Sequence, residues 1–139
     1  MPASIEATIA DALLSHLGDF PAQTPSIDIA YPDVPFEPVS GRTYLDTSLL
    51  FNAPANLGVA DASCTEFRGI LQVTVVAPAG RGIIAPIELA AKVADHFERG
   101  TSLGTGPVIK IVGRPAIANP AQSPDRIRVP VSVSFSCFA

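Results

Sequence analysis

Charge is scarce in this sequence. Aspartate, glutamate, lysine and arginine together make up 16% of its 139 residues, against about 25% in an ordinary globular domain. A free monomer relies on surface charge to stay soluble, so this scarcity implies that part of the surface is covered in the working state. The nine lysines and arginines form no basic run and no aromatic–basic patch, and the net charge is −4. Direct nucleic-acid binding needs positive charge gathered on one face, so the sequence argues against it. Long hydrophobic runs are missing as well. No segment approaches the roughly 20 apolar residues that span a bilayer, so no membrane association is expected. The opening segment, MPASIEATIADALLSHLG, carries Glu6 and Asp11 and has neither a basic start nor an uninterrupted apolar core, so it does not read as a signal peptide.

Residues that do chemistry are equally sparse. Cys64 and Cys137 are the two cysteines. They can pair in principle, but without a secretion signal the default is two reduced thiols, and both also fit as small core side chains. No His-x-x-x-His or Cys-x-x-Cys spacing offers a metal site. A zinc set drawn from His16, His96, Cys64 and Cys137 has no local support. Each histidine stands near the end of a predicted helix, where the helix dipole favours a positive ring. Asp95 and His96 resemble part of a triad, yet neighbours on a helix do not face each other. No serine lies in a nucleophile-elbow pattern. The acids Glu6, Asp11, Asp28, Asp33, Asp46 and Asp61 fall singly on different elements, without the pairing that acid–base catalysis needs. The glycines of GTSLGTGPVIK, 100–110, follow a helix and lead into a strand, with Pro107 where a phosphate-binding loop would carry lysine. That segment is a turn. No catalytic residue, cofactor or metal is therefore expected.

What is present is strong periodicity. Ile5, Ile9, Leu13 and Leu17, widened by Ala12 and Leu14, predict an amphipathic helix over 4–17, with Ser4 as its cap and Gly18 where a left-handed glycine would stop it. Four prolines between 25 and 38 forbid a long helix. A short strand fits 26–30, and 31–41 reads as an irregular crossing pinned by Tyr31, Val34 and Phe36. A second strand covers 42–51, with Leu45, Thr47, Leu49 and Phe51 on one face, and a long uncharged loop occupies 52–61. The third strand, 63–78, contains FRGILQVTVVAPAG. Its face of Phe67, Gly69, Leu71, Val73, Val75 and Ala77 is apolar, but Ile70 and Val76 interrupt the other. The second and third strands make an antiparallel pair.

A second helix fits roughly 83–98, regular from about 85 because Pro86 suits a first turn. Ile87, Ala90, Ala94 and Phe97 share its packed face, broadened by Ala91, Val93 and Ile83. A fourth strand reads over 108–113, and RPAIANPAQSPD is a turn-rich excursion. The last strand, 126–138, alternates without a fault: Ile127, Val129, Val131, Val133, Phe135 and Cys137 against Arg128, Pro130, Ser132, Ser134 and Ser136. Pro130 cannot donate to a ladder, which predicts a sheet edge or a bulge there. The serines mark a solvated or interface face. The order defines one α+β domain over 1–139: a mostly antiparallel, mixed sheet of about four to five strands with two main helices packed on one face.

Four stretches in order resemble the phage tail terminator-like family. They are the N-terminal helix followed by IAYPDVPFEPVSGRTYLDTSLL, then FRGILQVTVVAPAGRG, then LAAKVADHFERGTSL, and finally VIKIVGRPAI with DRIRVPVSVSF. The resemblance implies a structural virion protein: a homo-oligomer, commonly a hexameric ring, on the head-proximal end of a tail tube in the tail–neck region, assembled in the host cytoplasm. It implies two protein partners, the tail-tube protein and a head-completion or neck protein. It also implies DNA passing through the lumen without sequence-specific binding, and neither enzyme activity nor cofactor. Another neck or tail-completion subunit of the same particle is the alternative, and a small ligand-binding or catalytic bacterial domain a more distant one. From exposure and periodicity, the expected assembly residues are Arg68, Gln72 and Thr74, with Tyr31 and Phe36 in the crossing segment. Plain core packing is the competing account of Tyr31 and Phe36. Loop 52–61 is expected to reach a tail or neck partner.

Overall fold

A computed structural model describes residues 4–18, 28–32, 37, 42–52, 55–56, 65–80, 82–98, 102–103 and 109–138. The sheet is organised around its two longest strands, β4 (Thr65–Pro78) and β9 (Arg126–Phe138). They pair antiparallel in one unbroken register from Glu66 opposite Phe138 to Pro78 opposite Arg126. β2 (Tyr44–Phe51) lies antiparallel on the other side of β4, and β1 (Asp28–Ala30) is parallel to β2. β6 (Ile109–Ile111) borders β9, and β5 (Ser102–Leu103) borders β6. The spatial order is β1-β2-β4-β9-β6-β5. This is the expected mixed, mainly antiparallel sheet with its two helices, α1 (Ile5–Gly18) and α2 (Ile84–His96), on one face.

Three further short strands fall where the sequence reads as loop. β3 (Ala55–Asn56) pairs with the start of β4 inside the segment expected to be a long loop. β7 (Ala116–Ile117) and β8 (Ala121–Gln122) pair with β9 within the proline-rich excursion. β5 likewise lies in the expected glycine-rich link. Two-residue strands have no periodicity to read. They exist because β4, β6 and β9 offer edge backbone groups that need partners, met by β3, by β5, and by β7 and β8 respectively.

The core is the odd-numbered face of β4 and β9. Leu71, Val73, Val75, Val129, Val131, Val133, Phe135 and Cys137 are buried there, under Ile9, Leu13 and Leu17 of α1 and Ala90, Val93 and Ala94 of α2. Each fully buried aliphatic side chain contributes about 1.5–3 kcal/mol, and the alanines let α2 lie close across β4 and β9. α1 meets β5 at one edge of the sheet, while Gly18 at its end lies against the Tyr31 hydroxyl, just past β1 at the other. The helix thus bridges the two edges. Ser4 caps it as expected, accepting from the amide of Ala7 at 3.1 Å.

Three expectations are corrected. Gly18 is the last helical residue, and the glycines with positive φ among the described residues are Gly80 (87°) and Gly82 (83°), which turn the chain from β4 into α2. Ile83 does not join the packed face of α2. It is exposed, as is Ile84, because the turn carries the first residues of the helix beyond the sheet. Pro130 marks neither an edge nor a bulge. It stands opposite Thr74 with the register intact, and its carbonyl accepts from the amide of Ala118 at 2.8 Å on the far side. Amide and carbonyl of one strand residue point the same way, so the missing N–H falls toward Ala118, where the short ladder with β7 is already ending.

Gly69 has a packing reason. It sits between Phe51 of β2 and Phe135 of β9 in one cross-strand row. The two rings meet edge to face over it, with centroids 6.0 Å apart at 87°. A Cβ at Gly69 would press on the Leu50 carbonyl oxygen and come within 2.7 Å of the Phe135 ring.

Candidate assembly surface

The face of the sheet away from the helices is built from the even-numbered residues of β2, β4 and β9, which line up in rows across the strands. Tyr44, Val76 and Arg128 form the first row, then Asp46, Thr74 and Pro130, then Ser48, Gln72 and Ser132, then Leu50, Ile70 and Ser134. Arg68 and Ser136 form the next, and Lys110 of β6 extends it. Val112 extends the row of Leu50, its amide donating to the Ser134 carbonyl at 3.0 Å.

The rows differ in character. At the Pro78 end, the guanidinium of Arg126 lies over the Tyr44 ring at 5.4 Å, and Val76, opposite Tyr44, is fully buried. Arg128 reaches Asp46 at 3.6 Å. The middle rows are hydroxyls and an amide, half-buried at Gln72 and Thr74. The next row is open and apolar at both ends: Leu50 is 55% exposed and Val112 57%. Beyond it Arg68 pairs with Glu66 at 3.5 Å, and Glu66 accepts from the Ser136 hydroxyl at 3.1 Å. These ion pairs are long and solvated, each contributing at most about 1 kcal/mol. They pattern the surface more than they stabilise it.

Of the five residues expected at an assembly surface, the fold brings Arg68, Gln72 and Thr74 onto this one face. Tyr31 lies apart from them, half-buried against the core and beside Gly18. Phe36 falls outside the described residues, as do Cys64, Asp33, Asp61 and most of loop 52–61. Leu50, Val112 and Ile84 were not anticipated. The signal for the first was the run Leu49-Leu50-Phe51, where apolar residues occupy both faces of the strand end.

The helix side carries a different arrangement at the ends of α1 and α2. His16 and His96 stack with centroids 4.1 Å apart and planes at 13°. Nε2 of His16 hydrogen-bonds the His96 carbonyl at 2.7 Å, and Nε2 of His96 the His16 carbonyl at 2.5 Å. Each ring thus satisfies a terminal carbonyl of the other helix, a mutual clasp rather than two separate dipole contacts. Phe97 meets both rings edge-on. Asp95 turns away from this pair to Arg114, at 3.3 Å on the surface. Burial holds the Cys137 thiol above its ordinary value of 9.0 and keeps it protonated. Among the described residues no three His, Cys, Asp or Glu side chains gather as a metal site, and no helix is long and apolar enough to cross a membrane.

The chain is an α+β domain with two helices on one face of a mixed sheet and the opposite face left open by both helices. The family described as phage tail terminator protein matches residues 8–135. The chain belongs to that family, and its place is in the completion of phage-type tails. The fold recurs in solved structures. One solved protein chain superposes with a TM-score of 0.80 at 23% identity, over 98% of this chain and 96% of that one. A chain from the virion of a native gene transfer agent particle superposes with a TM-score of 0.62 at 15% identity, over 99% of this chain and all of the other. No curated protein matches.

Proposed function

We propose that this protein forms a closed ring, commonly of six subunits, on the head-proximal end of the tail tube. There it ends tube polymerisation and gives the head-completion or neck proteins a surface to dock on. It assembles in the host cytoplasm and acts by shape and contact, without catalysis or cofactor. DNA passes through the lumen unread, and a net charge of −4 suits a conduit that must not grip its cargo. The observation that carries this reading is the family match over 8–135. A sheet face left open by both helices, in a chain too poor in charge to favour the free state, supports it. Arg68, Gln72 and Thr74 on that face contact a neighbouring subunit or the tube. Tyr31 and Phe36 lend their crossing segment to the same assembly.

The test is the solution mass of the purified protein across a concentration series, with negative-stain images of the same samples, followed by addition of polymerising tail-tube protein. Closed rings, or capped tubes of limited length, are the expected result. A protein that stays monomeric and neither binds tube ends nor limits tube growth sinks the proposal.

A further inference from the structure

We draw no further inference here: the strongest candidate, the two exposed apolar patches at opposite ends of the sheet, Leu50 with Val112 near the start of β4 and Ile83 with Ile84 past its end, carries nothing, because nothing in the structure shows what covers either of them.

Discussion

The two faces of the sheet are made by the same strands and differ in nearly everything else. On the odd-numbered face of β4 and β9 every position from Leu71 to Ala77 and from Ile127 to Cys137 is buried, and a single layer of helix explains it. On the even-numbered face burial is graded. Val76 is sealed in the row of Tyr44, Gln72 and Thr74 are half-covered, and Leu50 and Val112 are open. The first face is closed by the chain itself. The second is finished only at one end. Alternate residues of one segment thus carry a sealed core face and a graded outer face.

Truncating the closed face should have the largest effect. Leu71→Ala or Phe135→Ala should cost about 2–5 kcal/mol in chemical denaturation, while Gln72→Ala and Ser134→Ala, one residue away, should stay within roughly 0.5 kcal/mol. Equal losses on both faces would erase the distinction. Gly69→Ala comes next, at about 1–3 kcal/mol, because the added methyl must displace the Phe135 ring and the Leu50 backbone together. A melting temperature unchanged by that substitution would show that the aromatic bridge is looser than drawn.

Thr47 buries a hydroxyl on the helix side and donates it to the Ala30 carbonyl at 2.6 Å, tying β2 to β1. Thr47→Val should cost about 1 kcal/mol, read from the same denaturation curves. The smallest effect concerns Cys137. In the native protein it should resist iodoacetamide and react fully once unfolded, as peptide mass spectrometry would report. The sign of its pH dependence follows from its raised pKa. Its contribution is complete below the thiol's ordinary value of 9.0 and is lost as the pH rises above it. Rapid labelling of the folded chain would mean that the closed face opens at that end.

How much of this was legible in the sequence depended on length and on distance. β9 could be read residue by residue because thirteen alternating positions leave no other period. β4 and both helices were nearly as clear. The two-residue strands β3, β5, β7 and β8 carried no pattern, being recruited by the unpaired edges of longer neighbours. Pro130 misled because a missing donor was read as a local defect, whereas its cost depends on which neighbour it faces. The clasp of His16 and His96 was out of reach, since it joins helix ends eighty positions apart. The candidate surface was half legible. Periodicity placed Arg68, Gln72 and Thr74 together, but only the register across the strands revealed the row that runs from exposed Leu50 through half-buried Ile70 to exposed Ser134 and Val112.

The continuous ladder of β4 with β9 also bears on timing. β4 emerges from the ribosome well before its partner, with α2 and the strands β5 to β8 synthesised in between. Until β9 arrives, β4 has β2 on one side and an open edge on the other, the kind of edge that recruits stray strands. Pairings so far apart in sequence form late and slowly. The core beneath the helices cannot close before then, because half of its floor is β9. A nascent copy is therefore unfinished until its last strand is made, which keeps partly synthesised chains out of the assembly.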